Sequence, residues 1–184
     1  MTRAGAAPDE IDPKIRRAEP GDLAAIERII SAAFTPYIPR LGRPPGVMKN
    51  DYAAFIAAGA AFVRMGDPVG TAGGERLNGA SDGPAAERGS GEGPVEGVIV
   101  LVDEEDVLYV DTLGVDPAAH GRGHGRALLD FAAAEARRRG FPALRLCTNL
   151  VMHENLTFYR HLGWRETHRG TQAGFERVFY RKEV

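Results

Sequence analysis

The stretch Val115-Asp-Pro-Ala-Ala-His120-Gly121-Arg122-Gly123-His124-Gly125-Arg126-Ala-Leu128-Leu129 decides how this chain is read. An apolar run, Val107–Val115, enters it, and an amphipathic helix spanning about Gly125–Arg139 leaves it. Glycine at alternate positions strips the loop of side chains, so a ligand can touch the backbone. The start of a helix offers unpaired N–H groups and the positive end of the helix dipole. Together these form a cradle for an anion such as a diphosphate. Arg122 and Arg126, with His120 and His124 beside them, add cationic side chains. The bland alternative is a glycine-rich turn before an ordinary helix.

Two phosphate motifs fail on these residues. No Lys-Ser or Lys-Thr pair exists for a G-x-x-x-x-G-K-[ST] loop, and the third glycine of G-x-G-x-x-G is missing, with Arg126 and Ala127 following Gly125. The order V-x-P, then x-x-x-G-x-G-x-G-x-x-L-L, fits a different pattern. It resembles the acetyl-CoA motif of the GNAT superfamily of N-acetyltransferases.

The pattern of elements on either side agrees with that resemblance. Lys14–Ala18 reads as a strand. A helix starts at Pro20-Gly21-Asp22 with Asp22 as N-cap, and Leu23, Ile26, Ile29 and Ile30 recur at helical spacing. Pro36, Pro39, Pro44 and Pro45 exclude regular helix across Thr35–Val47. A shorter helix fits Asn50–Ala58, and Ala60–Met65 reads as a strand. Val95–Asp103 is apolar on both alternating faces, as in a sheet covered on both sides. It forms an antiparallel hairpin with Val107–Val115. Gly140 and Pro142 end the long helix, and Ala143–Thr148 returns parallel to Val107–Val115 through a right-handed crossover. A helix at Glu154–His161 and a hairpin of Trp164–Arg169 with Phe175–Arg181 complete the chain. The expected fold is α/β (α+β): a mixed, mostly antiparallel sheet of six to seven strands with helices on both faces. A splayed parallel pair is expected at the cofactor site.

Length and composition set the outer limits. The 184 residues fit one domain over 13–184, with 43% hydrophobic and 26% charged residues and a net charge of −2. Residues 1–12 read as a flexible tail. Between 66 and 94, nine of 29 positions are glycine and three are proline. That composition offers little to bury and reads as a mobile insertion. The triplet Arg137-Arg138-Arg139 suits the C-terminal end of a helix dipole better than a nucleic-acid surface. No signal-peptide pattern and no apolar run near 18 residues is present, so a cytoplasmic location without membrane contact is expected. Heavy use of Ala, Gly and Arg points to a GC-rich bacterial source. The single Cys147 excludes an internal disulfide and reads as buried filler. His120 and His124 are four apart but lack flanking ligands, so no metal is expected.

What the resemblance implies is more specific. Acetyl-CoA would be the co-substrate and a small-molecule or peptide amine the acceptor. Backbone groups of Leu113, Gly114 and Val115 would meet the pantetheine and thioester where the strand bulges, with Gly114 compatible with the bulge. The glycine loop, His120 to Arg126, would hold the diphosphate. Asn155-Leu-Thr-Phe-Tyr-Arg-His-Leu-Gly-Trp164 resembles the family's final helix, and Tyr159 would face the cofactor sulfur as general acid, protonated at neutral pH. Asn149 and Asn155 are candidates for bonding the pantetheine amides, although Met152 stands where the family often has Asn. A base is harder to name. Asp111 takes the amine proton directly or through water, or pairs structurally with Arg145; Tyr109 positions substrate; or water alone serves. Phe34, Tyr37, Arg40, Tyr52, His168 and Arg169 lie in regions that line the acceptor site in this fold. Dimerisation through the C-terminal strands is common in the family. A non-catalytic acyl-CoA-binding regulatory module is the alternative reading, and another acyl donor would want an extra cation near the thioester.

Overall fold

The computed structural model describes residues 12–68 and 93–184. The expected tail and most of the glycine-rich 66–94 segment lie outside these residues. Asp12 is tied down, accepting from Arg64 Nε at 3.0 Å.

Seven strands form one sheet: β1 Ile15–Arg17, β2 Ala61–Met65, β3 Val95–Asp103, β4 Leu108–Val115, β5 Ala143–Asn149, β6 Arg165–Gln172 and β7 Phe175–Glu183. Their spatial order is β1-β2-β3-β4-β5-β7-β6. Every neighbouring pair is antiparallel except β4 and β5. The helices are α1 Leu23–Phe34, the single turn α2 Ile38–Leu41, α3 Tyr52–Ala57, α4 His124–Arg139 and α5 His153–His161. Among the described residues no helix is long and apolar enough to cross a membrane.

The sheet divides two cores, as the doubly apolar β3 requires. Ile99 and Leu101 face one way, against Leu128, Leu129 and Ala132 of α4 and Tyr159 of α5. Val98 and Val100 face the other way, against Ile26, Ile29 and Ile30 of α1 and Ile56 of α3. Burying such side chains is worth about 1.5–3 kcal/mol each. Helix α4 begins after Gly123 and ends at Gly140 (φ 82°), whose N–H bonds back to the last turn. Arg138 and Arg139 both bond Glu135, and Arg139 also reaches Asp103 at 2.8 Å, so these two cations serve helix and sheet.

Three local expectations change. Asp22 does not cap α1 with its side chain. Its carboxylate instead accepts from Glu19 N–H at 2.7 Å and from Arg16. The proline-rich Thr35–Val47 is not irregular throughout. Pro36 and Pro39 each sit in the first turn of a short helical segment, where the missing N–H costs nothing.

The third change concerns the bulge. Val100 pairs with Thr112 and Leu101 with Val110, leaving Asp111 as the extra residue. Gly114 pairs regularly with Val98. A Cβ on Gly114 would meet Ile30 Cδ1 at 3.0 Å and Val98 Cγ1 at 3.3 Å, so close packing of α1 demands the glycine. The bulge reverses the alternation along β4: Leu108 and Val110 belong to the α4 side, and after it Leu113 and Val115 do. Asp111 and Thr112 consequently share a face, as an inserted residue dictates.

Candidate active site

Three features of β4 and the loop after it create the site. The parallel pairing of β4 with β5 stops after Leu108↔Leu144 and Tyr109↔Arg145. Beyond Tyr109 the two strands diverge, and among the described residues the edge of β4 that carries Leu113, Gly114 and Val115 has no partner on that side. The expected splay is therefore present.

The loop that follows is shaped by left-handed glycines. Gly121 has φ 77° and Gly123, the N-cap of α4, has φ 82°. An L side chain pays about 1–2 kcal/mol for that conformation. A Cβ on either would meet no atom within 4 Å, so backbone conformation, not space, selects glycine there. Gly125 differs: its Cβ would meet Phe158 Cζ at 3.3 Å, and close packing against α5 selects it.

The backbone amides of this loop are bare. His120 N–H bonds Pro117 O at 3.3 Å, and the next N–H to find an acceptor is that of Ala127, on Gly123 O at 3.0 Å. Among the described residues, nothing accepts from the N–H groups of residues 121 to 126. Consecutive donors at the positive end of a sixteen-residue helix are suited to an anion.

The side chains of the loop take separate roles. His120 Nε2 lies 3.2 Å from Val115 O and the residue is exposed. Arg126 is exposed beside Asp130. Arg122 Nη1 donates to Glu96 Oε1 at 3.2 Å. His124 is 6% exposed, and its Nε2 lies 2.8 Å from Glu96 Oε2. Its imidazole is committed to that carboxylate, so what His124 offers an anion is its N–H. Sequence reasoning missed Glu96. The hairpin register carries the signal: Gly97 pairs with Val115, which brings Glu96 to the loop.

Two cavities open on this scaffold. One, of about 500 Å³, runs along Leu113–Val115 and the loop from His120 to Arg126, with α5 opposite. The other, of about 360 Å³, lies over β4, β5 and β7 beneath the Pro45–Val47 segment and includes Asp111, Cys147 and Arg177. Phe34, Leu113, Asn155 and Tyr159 line both. The two spaces thus adjoin at those four residues, where β4 and β5 separate.

Tyr159 is 7% exposed and packed against Phe158, Trp164 and Tyr180 with ring centroids 5.5–6.0 Å apart. Among the described residues no group bonds its hydroxyl. Burial pushes its pKa above the usual phenol value, and nearby Cys147 adds to the effect. The ring is part of the core on the α4 side, and the residue lines both cavities. Asn155 Nδ2 donates to Thr148 Oγ1 at 3.3 Å. Asn149 is buried, and its Oδ1 lacks a partner.

Asp111 is held by neutral donors: Asn50 Nδ2 and Thr112 Oγ1 each donate to its Oδ2 at 2.9 Å. The alternative pairing of Asp111 with Arg145 is not formed. Arg145 bonds Glu104 and sits 5.7 Å from the centre of the Tyr109 ring. Asn50 was not foreseen, because only the bulge brings Asp111 and Thr112 to one side. Tyr109 Oη lies 3.2 Å from Cys147 Sγ, and burial raises its pKa, followed by the influence of Cys147. Cys147 is half-buried on the cavity wall rather than core filler.

The expected acceptor-side residues divide. Phe34 lines both cavities and Tyr37 the loop groove. Arg40 binds Glu154 at 2.9 Å. Tyr52 is buried, its pKa pushed up to about 12 by that burial, and donates to Val47 O at 2.7 Å; it supports the cavity roof without lining it. His168 stacks on Phe179, and Arg169 binds Glu166 on the exposed face of β6; neither lines the cavity.

A seven-stranded sheet split at β4/β5, with an amide-rich helix start at the split, defines an acyltransferase fold class. The chain belongs to the Acetyltransferase (GNAT) family, whose sequence profile matches residues 23–164. N-alpha-acetyltransferase 80 of Mus musculus is 42% identical over 64 residues, which is 35% of this chain and only 19% of that protein's length. Among solved structures, the fold is similar to paiA N-acetyltransferase from Thermoplasma acidophilum in complex with coenzyme A. That likeness has a TM-score of 0.67 at 13% identity, covering 92% of this chain and 98% of that one. Ard1 from Thermoplasma volcanium gives 0.64 at 17%, covering 92% and 96%. The Escherichia coli ribosomal-protein-S18-alanine N-acetyltransferase gives 0.61 at 18%, covering 92% of each chain.

Proposed function

We propose that this protein is an N-acetyltransferase that moves an acetyl group from acetyl-CoA to a primary amine, both bound at once. The observation that carries this reading is that two cavities adjoin, sharing Phe34, Leu113, Asn155 and Tyr159 in their linings. A donor held from one side and an acceptor from the other would face each other there without exchanging places.

Acetyl-CoA supplies an activated acyl carbon on a thiol leaving group. The bare N–H groups of residues 121 to 126 would hold its diphosphate, with Arg122 and Arg126 adding charge. The unpaired edge at Leu113–Val115 would run beside the pantetheine, and the amide groups of Asn149 and Asn155 suit its two amides. Asp111 would draw the acceptor ammonium and take its proton, directly or through water. Tyr159 would donate its proton to the departing thiolate as the carbon–sulfur bond breaks and the carbon–nitrogen bond forms, then regain one from solvent. Positioning two reactants in one enclosed junction is itself a large share of such catalysis.

The test is thiol release from acetyl-CoA across a panel of amines, after CoA binding has been measured calorimetrically. Amine-dependent release with a matching acetylated product supports the reading. Saturable CoA binding with no release against any amine overturns it.

A further inference from the structure

Four charged residues line the acceptor cavity, Glu104, Asp111, Arg145 and Arg177, and only one pair of them is internally compensated. Arg145 is paired with Glu104. Asp111 is held by Asn50 and Thr112, both neutral. Arg177 lines the same cavity from β7 with no carboxylate partner among the described residues. Its Nε is buried and bonds nothing among the described residues. Its guanidinium lies 5.4 Å from the centre of the Phe175 ring, a contact that supplies no hydrogen-bond acceptor to Nε. Buried polar atoms almost always find partners. A buried guanidinium N–H left unpaired on a cavity wall calls for an acceptor that a ligand supplies.

Among the described residues Arg177 and Asp111 do not pair with each other, and both line the cavity that includes Tyr109. An uncompensated cation and an uncompensated anion therefore stand on one cavity of about 360 Å³. Building on the transferase reading above, we propose that the acceptor carries a carboxylate as well as its amine. Arg177 receives the carboxylate, while Asp111 receives the ammonium. Guanidinium matches a carboxylate in shape as well as charge. A free amino acid and a peptide with an acidic first side chain both present this chemistry.

The experiment compares paired acceptors in wild type and in Arg177→Met. Alanine is paired with ethylamine, phenylalanine with phenethylamine, and a peptide beginning with Asp with one beginning with Asn. For each pair the ratio of kcat/KM is taken within one protein preparation, so the amount of folded enzyme cancels. Comparison of wild type with variant then cancels the amines' own reactivity. The expected result is a preference for the carboxylate-bearing partner that falls by about 10- to 100-fold in Arg177→Met, with Arg177→Lys recovering part of it. The fall occurs in the amino-acid pairs if the source is a free amino acid, and in the peptide pair if it is a peptide. An unchanged ratio in every pair overturns the proposal, as does turnover confined to amines without a carboxylate, while leaving the transferase reading intact. No turnover with any amine removes both.

Discussion

Replacing Tyr159 with Phe isolates one atom of the site. The hydroxyl bonds no described residue, while the ring packs among Phe158, Trp164 and Tyr180. Phenylalanine keeps that packing and leaves no orphaned partner, so unfolding free energy should change by no more than about 0.5 kcal/mol. Binding of CoA should also be retained, because the amides proposed to hold the diphosphate lie elsewhere. A general acid contributes about 10²- to 10⁴-fold to rate, equivalent to about 2.7–5.4 kcal/mol of barrier. Steady-state thiol release at saturating acetyl-CoA and amine should therefore fall by that factor in Tyr159→Phe. Because burial raises the phenol pKa, wild-type kcat should show no loss from Tyr159 ionisation up to about pH 10. A kcat within threefold of wild type, in a variant that binds CoA normally, would refute the acid role.

Three further outcomes follow from individual positions. Gly123→Ala introduces strain without a clash, so the summed loss in stability and CoA affinity should be about 1–2 kcal/mol, and less in Gly123→Asn; denaturant unfolding and calorimetry measure the two parts. Gly114→Val forces methyl groups against Ile30 and Val98 and should cost about 1–3 kcal/mol of stability by urea unfolding. Glu135 is held below its usual pKa by its bond to Arg138, against the opposing effect of burial, with Arg139 assisting. Its folded pKa is lower than its unfolded one, so its contribution is present above about pH 4.5 and fades as pH falls through the folded value. Glu135→Gln should accordingly lose about 1–2 kcal/mol at pH 7, with the difference from wild type shrinking on acidification.

The fold was legible because its signals are periodic. Seven strands, the long helix and the parallel return of β5 follow from alternation, glycine stops and the crossover rule. The splay of β4 from β5 was implied by family resemblance and is present. The bulge was misplaced because glycine in a strand has two explanations, and Gly114 serves the close packing of α1 instead. From that one residue shift came the unseen alignment of Asp111 with Thr112 and Asn50. Alternation likewise cannot tell a core face from a cavity wall, so Cys147 read as filler. His124 read as an anion contact because its partner, Glu96, is 28 residues away and only the hairpin register brings them together. Arg177 gave no sequence signal at all. What distinguishes it is a missing partner, and absence of pairing is visible only in three dimensions.

The most direct measurement is an amide NMR titration of the loop with CoA and, separately, with pantetheine, which lacks the diphosphate. The N–H resonances of residues 121 to 126 should move together and saturate with CoA, and stay near their free positions with pantetheine. If they remain unmoved at millimolar CoA, or respond equally to both compounds, these amides do not hold the diphosphate.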